Sequence, residues 1–249
     1  MSVAIVTGGS SGIGRSTAEE LARRGSAVIL TYSSNESGAM QAVMAIEQNG
    51  GTAVALPLDV GRSDTFLAFR TQVTEVLKGW DRDSFDILIN NAGFAQPALF
   101  ADTTEELFDK FYRVLLKGPF FLTQTLLPLL ADGGAVVNTS SSATEHAEPG
   151  YSGYATMKGA LKVLTRFLAK ELSTRRIRVN SVSPGATRTR LGDDAFTKYP
   201  EVIPAIAAKT ALGRVGEPDD VAMAIAALVG DDGRWITAQN IEVSGGYEL

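Results

Sequence analysis

Seven short runs of apolar and β-branched residues recur along the chain: "VAIVT" (3–7), "AVILT" (27–31), "AVALPL" (53–58), "DILIN" (86–90), "AVVNTS" (135–140), "RVNSVS" (178–183) and "NIEV" (240–243). In several of them apolar residues follow one another almost without interruption instead of alternating with polar ones. Strands covered on both faces carry that pattern. The segments between the runs are long enough for crossover helices, which parallel strands require. The pattern therefore predicts an α/β fold, a doubly wound parallel sheet of about seven strands with helices on both faces. No Pro/Ser-rich linker, charge block or repeat divides the chain, so residues 1–249 are expected to form one domain. The stretch 186–216, rich in Ala, Thr and Pro, is expected to be an irregular or short-helical insertion over the C-terminal edge of the sheet, where ligands bind in such folds.

Composition narrows the class. With 249 residues and an apolar fraction of 45%, the chain can bury a sizeable core. Its net charge of −5 argues against nucleic acid, which needs a basic face. The absence of cysteine excludes disulfides, thiol catalysis and thiolate metal sites. No carboxylate–histidine cluster suggests another metal site, and His146 is the single histidine. The N-terminal residues lack the basic flank and long apolar run of a signal or membrane span, so a soluble, cytoplasmic protein is expected.

Two stretches carry candidate chemistry. "TGGSSGIG" (7–14) follows the first strand run and opens a helix near Gly12. Glycines in such a turn let the backbone approach a pyrophosphate, and the helix N-terminus offers free N–H groups and a favourable dipole. The spacing is G-x-x-x-G-x-G, slightly longer than the common dinucleotide fingerprint. In "YSGYATMKGA" (151–160), Tyr154 and Lys158 lie four positions apart and share one helix face, whereas Tyr151 has Ala155 at its own +4 position. A neighbouring cation favours phenolate and lowers the phenol's ordinary pKa of about 10, suiting it to proton transfer. The spacing alone leaves a surface packing pair as the alternative.

"TGGSSGIG", "NNAG" (90–93), the Tyr154–Lys158 pair, "PG" (184–185), "GRVGEPDDVA" (213–222) and "SGG" (244–246) together resemble the short-chain dehydrogenase/reductase family in its form of roughly 250 residues. The likeness implies a Rossmann-like fold and a nicotinamide cofactor held by Gly8, Ser10, Ser11, Gly12, Ile13 and Gly14. By the same likeness, Asp59 and Val60 would lie at the adenine, and Asn91, Ala92 and Gly93 near a ribose. Pro184, Gly185, Thr187 and Thr189 would cover the nicotinamide, and Tyr154 and Lys158 would also touch the cofactor. Tyr32 stands where an acid would hold the 2′-hydroxyl of NAD, and Ser33, Ser34 and Asn35, with Arg15 nearby, could bond a phosphate. NADP(H) is favoured, with NAD(H) possible.

The family places its serine thirteen residues before the tyrosine, which selects Ser141 over Ser140 and Ser142. The implied reaction interconverts a ketone and a secondary alcohol: Tyr154 is the acid/base, Ser141 polarises the carbonyl, and Lys158 lowers the tyrosine pKa. His146 and Tyr151 would border the substrate together with Ser141 and Tyr154. One position departs from the family: Leu115 replaces an asparagine thought to connect the lysine to solvent. A non-catalytic dinucleotide-binding sensor or scaffold therefore remains the competing class. The resemblance also reaches 3-oxoacyl-carrier-protein reductases. "LLPLLADGG" (126–134), often basic in those enzymes, has no cation here, although Arg175 and Arg176 remain. A small-molecule ketone or alcohol thus ranks above an acyl-carrier substrate. The apolar helices at 103–130 and 151–173 suggest a homodimer or homotetramer.

Overall fold

The computed structural model describes residues 1–249, apart from the side-chain surroundings of positions 192, 193 and 195. Seven strands form one parallel sheet: β1 (Val3–Val6), β2 (Ala27–Tyr32), β3 (Ala53–Pro57), β4 (Phe85–Asn90), β5 (Leu130–Thr139), β6 (Arg178–Pro184) and β7 (Asn240–Val243). Their order is β3-β2-β1-β4-β5-β6-β7, and every pairing is parallel. The connections reverse direction between β1 and β4, which opens a crevice at the C-terminal ends of the central strands.

The continuous apolar runs arise because both faces are covered. In β1, Val3 and Ile5 join one core while Ala4 and Val6 join the other, and all four are without exposure. On the first face pack α3 (Phe66–Gly79), α5 (Gly118–Leu126) and α6 (Ser152–Glu171), through residues such as Phe69, Leu122 and Ala169. On the second lie α1 (Gly12–Arg23), α2 (Glu36–Gln48) and α9 (Pro218–Val229), through Leu21, Val43 and Ile225. Each such aliphatic or aromatic side chain contributes about 1.5–3 kcal/mol on burial. A shorter helix, α4 (Glu105–Phe111), continues through a widened π-type stretch at Tyr112–Lys117 into α5.

The expected insertion is an excursion containing α7 (Leu191–Lys198) and α8 (Ile203–Ala208). Its neck is pinned where Thr187 bridges Gly216: Arg188 N–H donates to Gly216 O at 2.8 Å and Gly216 N–H to Ala186 O at 2.9 Å. The "GRVGEPDD" motif explains the return to the sheet. Asp220 accepts the Glu217 N–H at 2.8 Å and the Arg214 guanidinium at 2.6 and 2.8 Å, capping α9 behind Pro218. The Arg214 hydrogen bond first, then the backbone one, holds the Asp220 carboxyl down at about 2. Among the described residues no helix is long and apolar enough to cross a membrane.

Candidate active site

A cleft of about 1360 Å³ runs along the C-terminal ends of the strands. One end is the glycine turn. Gly8 has φ of +67°, and a Cβ there would lie 2.9 Å from Ala92 Cα, so only glycine lets the turn pass this close to the loop after β4. The Thr7 hydroxyl pins that loop by accepting the N–H groups of Asn91 and Ala92 at 2.9 and 3.0 Å. Ser11 precedes α1 without a side-chain capping bond, leaving first-turn N–H groups to face the cleft. An adjoining pocket of about 460 Å³ brings Arg15, Arg188 and Arg190 to the same turn.

Farther along, α6 presents Tyr154 and Lys158, both buried. A chain of buried amides and hydroxyls seats this helix on the sheet. Asn90 Nδ2 donates to Thr123 Oγ1 at 3.0 Å and to Asn138 Oδ1 at 2.9 Å, and Asn138 Nδ2 donates to Thr165 Oγ1 at 2.9 Å. The Ser140 hydroxyl donates to the Lys158 carbonyl at 2.9 Å. Hydrogen bonds of this kind, away from water, fix position more firmly than packing alone.

The three competing serines separate cleanly. Ser140 is spent on the α6 backbone and Ser142 is buried at the start of a short 3₁₀ turn. The Ser141 side chain accepts the Ala143 N–H at 3.2 Å and lines the same cleft as the Tyr154 hydroxyl. Lys158 Nζ lies 5.9 Å from the Tyr154 ring centre and donates to Thr139 O at 2.6 Å. Burial lowers the Lys158 ammonium to about 8. Burial likewise raises the Tyr154 phenol to about 12, opposed only in part by Ser141. The expected lowering of the phenol by Lys158 is thus reversed here. The ammonium is turned to a carbonyl, and a buried phenolate would lack water.

Leu115 is fully buried with Phe111, Tyr154 and Met157. A Cβ on Gly93 would lie 3.1 Å from Leu115 Cδ2 and 3.7 Å from Lys158 Nζ, so the leucine and the ammonium both close on Gly93, and the leucine offers that space an apolar surface.

Nearly all residues expected at the site line this cleft: Gly8, Ser10, Ser11, Gly12, Ile13, Gly14, Ser33, Ser34, Asp59, Val60, Asn91, Ala92, Gly93, Ser141, His146, Tyr151, Tyr154, Lys158, Pro184, Gly185, Thr187 and Thr189. Tyr32 is the correction. It is not part of the lining, and its phenol is raised by partial desolvation and by the nearby Glu36 carboxylate at the start of α2. Phe94, Lys110, Arg113, Phe196 and Tyr247 also line the cleft and were not picked out from the sequence. Phe94 follows "NNAG" and Tyr247 follows "SGG", so adjacency to those motifs was the available signal. Phe94 stacks on Phe111 at 5.1 Å and carries Lys110 Nζ 4.6 Å above its ring.

A family model described as enoyl-(acyl carrier protein) reductase matches residues 8–248. The chain belongs to the short-chain dehydrogenase/reductase family. An uncharacterised oxidoreductase of Methylorubrum extorquens is 38% identical over 98% of this chain and 96% of its own. Among solved short-chain dehydrogenase/reductase structures, the promiscuous reductase LugOII, which catalyses keto-reduction at C1 in lugdunomycin biosynthesis, superposes with a TM-score of 0.90. It is 39% identical, over 98% of this chain and 96% of that one. The angucycline C-6 ketoreductase LanV with bound NADP gives a TM-score of 0.92 at 35% identity, covering 100% and 96% of the two chains. LanV has also been solved with NADP and rabelomycin together.

Proposed function

We propose that this short-chain dehydrogenase/reductase is an NADP(H)-dependent ketoreductase that interconverts a small-molecule ketone and a secondary alcohol. Ser141 and Tyr154 beside Lys158, lining one cleft that begins with a glycine turn, carry the reading. The residues present suit the cofactor: the uncapped first turn of α1 favours a pyrophosphate, and Asn91 to Gly93 and Pro184 to Thr189 line the path from there to Tyr154. When bound, NADPH supplies the hydride for the carbonyl carbon. Tyr154 gives its proton to the carbonyl oxygen while Ser141 hydrogen-bonds that oxygen as charge develops on it. A phenol at about 12 stays protonated at neutral pH, the form that reduction requires. Lys158, whose Nζ donates to Thr139 O at 2.6 Å on the cleft wall, would hold the ribose hydroxyls of a bound cofactor and favour departure of the proton.

Arg15, paired with Glu19 at 2.7 Å, and Arg62, paired with Asp64 at 2.8 Å, line the cavities beside the glycine turn and Asp59, and their exchange onto an adenosine 2′-phosphate would favour NADP(H) over NAD(H). Phe94, Tyr151, Phe196 and Tyr247 along the substrate side favour an apolar, ring-bearing ketone, in keeping with the angucycline ketoreductases among the neighbours. A 3-oxoacyl-carrier substrate is the second reading, favoured by Lys110 and Arg113 on the cleft wall. Arg175 does not add to it, being bonded to Asp132 at 2.6 Å and to the Leu127 and Leu130 carbonyls. The exposed apolar side chains Phe108, Tyr112, Phe120, Phe121, Val163 and Phe167 on α4–α6 support assembly as a homodimer or homotetramer, and elution at monomer mass in size exclusion would refute it.

The decisive experiment gives the pure protein NADPH or NADH with a panel of ring-bearing ketones and an acetoacetyl thioester. Faster NADPH oxidation with the free ketones is expected. Preference for the thioester would select the carrier reading. Tight NADPH binding without turnover of any carbonyl would mark a scaffold, with Leu115 as the first suspect.

A further inference from the structure

The C-terminal tail, residues 244–249, brings Tyr247 to the substrate side of the cleft and is fixed on three sides. Its start sits on the "PG" turn: Gly185 N–H donates to Val243 O at 3.0 Å, and a Cβ on Gly185 would lie 2.8 Å from Ser244 Cα. Its middle pairs antiparallel with the end of the 186–216 excursion. Ala211 and Leu212 donate to the Gly246 and Gly245 carbonyls at 3.0 Å each, and Glu248 N–H donates to Lys209 O at 2.9 Å. Glycine is needed for that close pairing: Gly246 has φ of +75°, and a Cβ there would lie 2.8 Å from Ala211 Cβ.

From this turn Tyr247 reaches the opposite bank of the cleft. Its hydroxyl donates to Glu148 Oε1 at 3.0 Å, and its ring meets His146 edge-on at 5.7 Å. Both partners belong to the loop 144–150 that lies between Ser141 and Tyr154 in sequence. Lys209 Nζ braces the crossing, 2.8 Å from Glu248 Oε1 and 3.9 Å from Glu148 Oε1. Tyr247, His146 and Glu148 all line the cleft that holds Ser141 and Tyr154.

We propose that Tyr247 is a specificity-determining residue: its ring, tethered to Glu148, closes one side of the substrate mouth and limits the size of ketone that can reach Tyr154. This rests on the ketoreductase reading. An aromatic ring with few rotatable bonds, anchored at both ends, selects by shape. A single tether on the surface lets that shape be altered without disturbing the catalytic groups, none of which touches the tail.

The test compares kcat/KM for cyclohexanone and for the larger α-tetralone, with NADPH affinity followed separately by fluorescence titration. In Tyr247→Ala the tetralone-to-cyclohexanone ratio is expected to rise about tenfold, within the range that one pocket group can discriminate. NADPH affinity should stay at the wild-type value. Tyr247→Phe and Glu148→Ala, which keep the ring but cut its tether, should move the ratio the same way by less, and they carry the test if Tyr247→Ala does not fold. An unchanged ratio in these variants, with the wild type active, overturns the proposal alone. A wild type that binds NADPH but reduces neither ketone overturns the ketoreductase reading, and this inference falls with it.

Discussion

The two ends of the cleft are built from different materials. At the glycine turn and along α6 the joints are buried and lie largely in backbone or short side chains: Thr7 to Asn91 and Ala92, Asn90 to Asn138 to Thr165, Ser140 to the Lys158 carbonyl. At the substrate mouth they are long, exposed side chains meeting across the surface, such as Lys209 with Glu248 and Tyr247 with Glu148. Buried hydrogen bonds hold geometry tightly because breaking one strands a polar group away from water. Exposed ion pairs are worth about 0–1 kcal/mol and are screened by salt. The difference implies that the reacting groups are fixed while the mouth can be reshaped.

The largest effects should come from the fixed end. Tyr154→Phe removes the proton donor and is expected to lower ketone reduction by about 10²–10⁴-fold. NADPH binding, measured by fluorescence titration, should persist. Full activity in that variant would reassign the acid and undo the distinction between the two ends.

Lys158→Met should also abolish turnover, but its signature is in stability. Burial lowers the ammonium from 10.5 to about 8, so between those pH values the native protein has released a proton that the unfolded chain still holds. Stability from this site therefore rises with pH across that window, and the burial of the charge costs most below it. The variant should melt at or above the wild-type temperature at pH 7, and the wild type should gain on it between pH 8 and 10. A gap that widens in the variant's favour would show that Lys158 is not held as a desolvated cation.

Asn138→Ala cuts the polar chain between sheet and α6. The Asn90 amide loses one of its two acceptors and the Thr165 hydroxyl loses a donor while keeping its bond to Leu161 O, which should cost about 1–3 kcal/mol in urea unfolding. A neutral result would mean that packing, rather than the ladder, positions the helix.

The same division decides what could be read from the sequence. The strands were legible because burial on both faces leaves an uninterrupted apolar run, and six of the seven began within a residue or so of where they were expected. The exception, β5, starts at Leu130 across a register shift between Phe85 and Ile87, and its first residues, with two exposed, carry no strand pattern. The glycine turn is a local pattern of short reach, whereas Ser141 and the pairing of Tyr154 with Lys158 were expected from the family resemblance, the spacing alone leaving a surface packing pair open. Tyr32 falls outside the cleft lining because position at the end of β2 does not reveal which way the side chain is set, and Glu36 at the start of α2 lies close enough to raise its phenol. Phe94, Lys110, Phe196 and Tyr247 meet only through the fold. The Tyr247–Glu148 bond joins residues 99 positions apart. The phenol pKa was beyond the sequence too: the spacing showed an ammonium within reach, whereas burial and the pull of Thr139 O decide the direction.

The smallest predicted effect probes the mouth directly. Lys209 pairs with Glu248 and approaches Glu148, with about half of its side chain exposed at 54%. Those carboxylates raise the ammonium above its ordinary range, chiefly through the Glu248 hydrogen bond, but solvent screening leaves little of that as stability. Lys209→Ala is accordingly expected to shift the urea midpoint only slightly at low salt, with the difference shrinking towards zero at about 1 M salt. The backbone pairing of 209–212 with the tail survives the substitution, so Tyr247 keeps its place and only its bracing weakens. A loss as large as that of Asn138→Ala, insensitive to salt, would mean that the mouth is as firmly built as the catalytic end, because only a desolvated pair could contribute so much.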